Sequence, residues 1–187
     1  METKIEKINT AEELKSRKDD INKDLGEKIT ISICSGTGCR ALSSDLIISA
    51  LEKELKNTSH KKAGNIIIKK TGCHGYCEKG PIIVVYPGET CYLGVKEKDI
   101  PEIVRAALEG KAAKDLLYQN EEGDNAYKES EIPFYKFQKR IVLENNSRID
   151  PESIDDYIGV GGYQAHYADF LPVCSYPYKH PGHLHQH

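Results

Sequence analysis

Ile29-Thr-Ile-Ser-Ile-Cys34-Ser-Gly-Thr-Gly-Cys39 decides how the chain is read. Residues 29–33 alternate apolar and polar side chains with the period of two that a strand imposes. The strand delivers the chain to Cys34, and a glycine-rich loop carries it to Cys39. The pattern returns at Thr71-Gly-Cys73-His-Gly-Tyr-Cys77-Glu-Lys-Gly-Pro81. In each case two thiols sit close enough for one loop to present both to one metal centre. Gly36, Gly38 and Gly75 let such loops fold tightly around a bulky inorganic group. Residues 40–72 leave room for a helix and a strand, so the second loop can return beside the first.

Outward from these loops the elements follow in order. Thr10 and Glu13 make a capping-box pattern for a helix over residues 10–25, with Leu14, Ile21 and Leu25 roughly on one face. After Cys39, Leu42, Leu46, Ile47, Ala50, Leu51 and Leu55 recur at helical spacing, with Ser43 or Ser44 as the expected cap. Ile66, Ile67 and Ile68 form a short strand. Ile82 to Tyr86 is a continuous run that predicts a strand buried on both faces. Pro87-Gly88-Glu89 predicts a turn and Cys91 to Val95 a returning strand. Asp99 is the expected cap of a helix carrying Ile103, Val104, Ala107 and Leu108, and Gly110 ends it.

The expected fold is therefore α/β: a β-α-β-β-β-α domain of thioredoxin-like arrangement with a mixed sheet, followed by an irregular C-terminal extension. The first β-α-β unit needs a right-handed crossover, so its strands run parallel. Both cysteine loops then leave the same end of the sheet, which is the physical case for one shared site.

Composition narrows the setting. Net charge is -3 in 187 residues, which argues against binding driven by nucleic-acid phosphates. No apolar run is long enough to span a membrane. The N-terminus lacks the apolar core of a signal peptide. A cytoplasmic chain keeps its thiols reduced, so metal binding or redox chemistry is favoured over disulfides. Of the 6 cysteines, Cys91 and Cys174 stand outside the loops.

Cys34, Cys39, Cys73 and Cys77 suit an iron–sulfur centre, since soft anionic thiolates match ferric iron in sulfide clusters. Zinc is the main rival, although its structural sites often use closer Cys-x2-Cys spacing. A thioredoxin-type redox pair would also want Cys-x2-Cys. Arg40, Lys69, Lys70 and Lys79 lie near the loops in sequence and are candidates to favour a reduced, more negative centre. His74 reads first as a loop side chain facing water, with hydrogen bonding to a cluster sulfur or replacement of a ligand as alternatives. Cys91, inside a strand pattern, reads as a small buried hydrophobe.

Beyond Lys111 the character changes. Residues 119–125 are polar and turn-rich, and residues 113–131 read as a linker. Residues 132–143 place aromatics beside cations and read as an arm that docks on a neighbouring surface. Asp150-Pro151 is expected to start another helix. The glycines at 159, 161 and 162 are a weak phosphate-binding signal without a strand before them. From His166 the chain is rich in histidine, at 166, 180, 183, 185 and 187, and reads as a disordered tail.

The motifs Cys34-x4-Cys39 and Cys73-x3-Cys77, with Thr71 to Pro81 around the second, resemble the thioredoxin-like [2Fe-2S] ferredoxin domain. That domain occurs in the small iron–sulfur subunit of respiratory complex I. It is also fused to the flavoprotein subunit of NAD(P)-linked, often electron-bifurcating, hydrogenases and formate dehydrogenases. The second group is closer, through residues 132–143, Ile149 to Ile158 and Gly161-Gly-Tyr-Gln-Ala165. The resemblance implies that Cys34, Cys39, Cys73 and Cys77 ligate a [2Fe-2S] cluster. It implies an electron carrier whose partners are other subunits of a hydrogenase or dehydrogenase complex. It stops near Ala165, before the family's FMN and NAD(P)H sites, so those cofactors are expected only in full-length relatives and NAD(P)H oxidation is not expected of this chain alone. Truncation or frameshift would account for the break.

The expected organisation is a helical lead-in at 1–28, the ferredoxin domain at 29–112, a linker at 113–131, the start of a flavoprotein-like region at 132–165 and a tail at 166–187. The alternative function is a zinc-stabilised interaction module without redox chemistry.

Overall fold

The computed structural model describes residues 7–120 and 123–165. The histidine-rich tail and Cys174 lie outside the described residues. Strands β1 (Ile29–Cys34), β2 (Ile66–Thr71), β3 (Ile83–Tyr86) and β4 (Thr90–Tyr92) form one sheet in the order β2-β1-β3-β4. β1 and β2 are parallel, in a register that sets Cys34 opposite Thr71. β3 runs antiparallel to both β1 and β4. The carboxyl ends of β1 and β2 are thus level, and both cysteine loops leave from there, as the crossover requires.

Helices α1 (Ala11–Gly26), α2 (Thr37–Ala41), α3 (Ser44–Asn57) and α4 (Ile100–Glu109) accompany the sheet. Strand alternation assigns side chains to two cores. On one face Ile31, Ile33, Ile83, Val85 and Tyr92 pack with Ile47, Ile48 and Leu51 of α3 and Ile103 and Val104 of α4. On the other, Cys34, Val84 and Cys91 pack with Cys39, Ile82, Ala126, Ile132 and Tyr135. Full burial of a side chain such as Ile132 stabilises by about 1.5–3 kcal/mol. The second core is therefore built partly by residues from the C-terminal extension.

That extension has structure where the sequence suggested a linker. β5 (Tyr118–Gln119) and β6 (Asn125–Ala126) form a small antiparallel ladder. Single bridges then join Tyr92 to Leu117 and Thr90 to Lys128, along the outer side of β4. The polar turn hides how few apolar anchors are needed: within residues 113–131, Ala113, Leu117 and Ala126 are the buried ones. Beyond it lie α5 (Pro133–Lys136) and α6 (Ile154–Gly159). α6 packs on α1, with Asn22 donating to the Gly159 carbonyl at 3.2 Å and Arg17 paired with Asp155 at 2.7 Å.

Several expected caps differ. Thr10 and Glu13 do form the capping box of α1. Ser43 instead takes a left-handed conformation, φ 69°, between α2 and α3 and makes no side-chain cap bond. Asp99 accepts from the Lys96 backbone N–H at 2.9 Å, serving the turn before α4 rather than α4 itself. The last helix begins at Ile154, capped by Ser153, because Asp150 and Pro151 are spent in the preceding turn. Gly110 ends α4 in the left-handed region as expected, φ 67°.

Candidate metal centre

The four loop thiols meet where β1 and β2 end. Cys34 closes β1, Cys39 sits in α2, Cys73 follows β2 by two residues, and Cys77 opens a short helical turn over Cys77–Lys79. They are grouped two by two. Cys34 and Cys39 lie close enough for each to shift the other's thiol, and the Cys73 and Cys77 sulfurs are 3.8 Å apart. Among the described residues no three His, Cys, Asp or Glu side chains converge as ligands of one ion would. Two neighbouring thiol pairs are a donor set that a binuclear centre can use.

The loops interlock closely at Gly36, Gly38 and Gly80. A Cβ at Gly80 would lie 2.7 Å from Cys39 Sγ, and one at Gly38 would lie 2.9 Å from Cys77 Sγ. A Cβ at Gly36 would press on Cys73 Cβ at 3.2 Å. The absence of a side chain at these glycines lets the backbone of one loop approach the thiols of the other.

Electrostatics points the same way. The neighbouring Cys39 thiol, with backbone N–H groups of His74 and Gly36, lowers the Cys34 thiol to about 5 against the opposing effect of burial. The Cys34 sulfur in turn, with burial, pushes Cys39 upward. Burial raises Cys73, and the neighbouring sulfurs of Cys77 and Cys34 add to it, while the Gly75 N–H, 3.2 Å from Cys73 Sγ, works against them. Four thiolates gathered here would repel one another, and ferric iron would supply compensating charge. Backbone N–H groups aimed at sulfur offset part of the remainder. The residues therefore fit an iron–sulfur group.

His74 is not the water-facing side chain that its loop position suggests. It is 1% exposed. Its Nε2 lies 3.2 Å from Thr71 Oγ1, and its Nδ1 lies 3.4 Å from Glu129 Oε1, close enough for an ion pair but too poorly aligned for a hydrogen bond. Arg140 donates to the same oxygen at 2.9 Å, with its guanidinium 4.6 Å from the Tyr135 ring centre. Tyr135 meets Tyr76 edge-on, and Tyr76, between the second pair of cysteines, stacks on Phe134 at 3.9 Å. Sequence reading missed Glu129, Arg140, Phe134 and Tyr135 as neighbours of the site. The alternation of aromatics and cations in 132–143 was the signal, and it marked an arm that docks on this chain's own cysteine loop.

Of the four cations noted near the loops, Lys69 is committed elsewhere. It is buried against Asp156 of α6 at 2.8 Å. Arg40 pairs with Asp45 at 3.2 Å, and Lys79 lies 4.0 Å from Glu78. Cys91 is fully buried, as a small hydrophobe would be, and burial pushes its thiol up.

Residues 19–108 match the family described as thioredoxin-like [2Fe-2S] ferredoxin. A 2Fe-2S ferredoxin of Clostridium pasteurianum is 35% identical over 79 residues, covering 42% of this chain and 76% of that protein. A second, from Aquifex aeolicus (strain VF5), is 46% identical over 44 residues, covering 24% of this chain and 40% of the relative. A crystal structure of the thioredoxin-like [2Fe-2S] ferredoxin from Aquifex aeolicus aligns with 25% identity and a TM-score of 0.44, over 50% of this chain and 99% of that one.

Proposed function

Because the chain belongs to the thioredoxin-like [2Fe-2S] ferredoxin family, and so is a [2Fe-2S] electron carrier, we propose the residues that hold the cluster and the setting in which it works. Cys34, Cys39, Cys73 and Cys77 would hold the cluster. The observation that carries this assignment is the meeting of two thiol pairs at the level carboxyl ends of β1 and β2.

The bound cluster supplies a one-electron couple. The chain's own groups do the rest. Backbone N–H groups of Gly36, His74 and Gly75 donate to sulfur and make the added negative charge less costly. Tyr76 and Phe134 stack beside the second pair and fix that loop against the arm. Cys77 remains exposed, which leaves the centre close to the surface for exchange.

The wider setting is a module of an NAD(P)H-linked hydrogenase or dehydrogenase complex, passing electrons between a flavin and other iron–sulfur centres. The likeness of residues 132–165 to the stretch that leads into a flavoprotein domain supports this reading. Among the described residues no helix is long and apolar enough to cross a membrane.

Anaerobic purification with iron and acid-labile sulfide assays tests the assignment. About two of each per chain is expected, with an EPR signal only after dithionite reduction and lost in Cys73→Ala. Zinc without sulfide would overturn it. For the wider setting, NADH should reduce the cluster only when a flavoprotein subunit is added. Reduction by NADH with the purified chain alone would refute the division of labour.

A further inference from the structure

The arm leaves a water-facing apolar surface beside the thiols. Phe137 is 87% exposed, Ile141 75%, Val142 91% and Leu143 52%. Two contacts fix this run against the cysteine loop. At one end Phe134 stacks on Tyr76, and at the other Asn146 packs so closely on Gly72 that a Cβ there would lie 3.3 Å from it. The run between them therefore borders residues 72–77, where Cys77 is the exposed thiol. Four large apolar side chains in one exposed stretch are unusual for a surface that meets only water.

Charge says what could cover them. Residues 136–143 carry Lys136, Lys139 and Arg140 and no acid, although the chain as a whole has a net charge of -3. Arg140 is held by Glu129, but Lys136 and Lys139 rim the apolar run. An apolar centre with a charged rim is the anatomy of a protein interface, and the rim steers the encounter.

We propose that this face docks the electron-exchange partner, a redox protein presenting an apolar patch rimmed by carboxylates. In the exchange one electron leaves the reduced cluster and reduces the partner's flavin or metal centre, or passes in the reverse direction, and no bond is made or broken. The proposal rests on the electron-carrier reading.

The test uses the full chain with measured cluster content, reduced and freed of reductant, in anaerobic stopped flow. The probes are an acidic flavodoxin and, as contrast, a basic cytochrome c. With flavodoxin the second-order rate should fall about tenfold from low to physiological salt. Lys136→Glu with Lys139→Glu should slow it about tenfold at low salt, and Phe137→Ser with Val142→Ser by a similar factor. Both pairs are solvent-facing, so the fold and cluster should be spared. Cytochrome c should not be slowed by the Glu variant. Wild-type flavodoxin rates in cluster-loaded variants would overturn the docking role and leave the carrier reading intact. Absence of iron and sulfide from the wild-type chain would sink both. A dimer that Val142→Ser dissociates would make a second copy the occupant, and a cross-link from Lys139 to Lys179 within a monomer would make the tail the occupant. Either result overturns the proposal.

Discussion

Gly80 and Gly38 are where single atoms decide whether the centre can form. Gly80→Ala forces a methyl to 2.7 Å from Cys39 Sγ, and Gly38→Ala to 2.9 Å from Cys77 Sγ. Either should reduce cluster occupancy by more than about half, read as iron and sulfide per chain, because sulfur and backbone must both shift. Gly64→Ala, with nothing within 4 Å of the added atom, should leave occupancy unchanged. Glu129 acts at the same scale, through its charge. Burial pushes its carboxyl up, but the nearby His74 ring and the hydrogen-bonded charge of Arg140 outweigh it and hold the group below the usual range. A folded value below the unfolded one means the contribution is complete above about pH 4.3 and is lost as pH falls through the folded value. Urea midpoints should therefore drop below that pH in wild type and less steeply in Glu129→Gln. That the two cysteine loops meet at one end of the sheet was legible from the strand patterns and the crossover between them. The surroundings of His74 were not, because its partner arrives from a distant stretch and no local pattern encodes that meeting.

At the scale of elements, α6 is fixed to the sheet by a buried ion pair. Lys69 on β2 and Asp156 on α6 are 2.8 Å apart, with side chains 9% and 11% exposed. Asp156→Ala would strand the ammonium in that setting, at a cost of about 3 kcal/mol. It should raise hydrogen exchange across α6 and α1 while the EPR signal of the reduced centre keeps its shape. A changed signal would mean that α6 reaches the cluster. The strands and main helices were readable because period-two and period-3.6 patterns run through residues 29–33, 42–55 and 100–108. The final helix was misplaced because Asp150-Pro151 is a good helix opening that the Ser153 cap outcompetes. The short ladder of β5 and β6 was invisible because two-residue strands have no period to detect.

At the scale of the molecule, the extension and the ferredoxin sheet share one core. Ile132 is fully buried among Cys34, Val84, Cys91 and Tyr135. Ile132→Ala should cost about 2–5 kcal/mol. Because the core belongs to both parts, wild-type urea unfolding followed by tyrosine fluorescence and by cluster absorbance should give coincident transitions. Separate midpoints would show that the extension is only loosely attached. Neither result was foreseeable from composition, since residues 113–131 look like spacer and contribute through a few small side chains. The bridges from Leu117 and Lys128 to β4 carry a further consequence. An uncovered outer strand invites the same strand of another copy to add to it. By occupying that side, the extension acts as a stopper on the sheet. A protease that trims it would turn a discrete carrier into one prone to stacking strand against strand, copy upon copy.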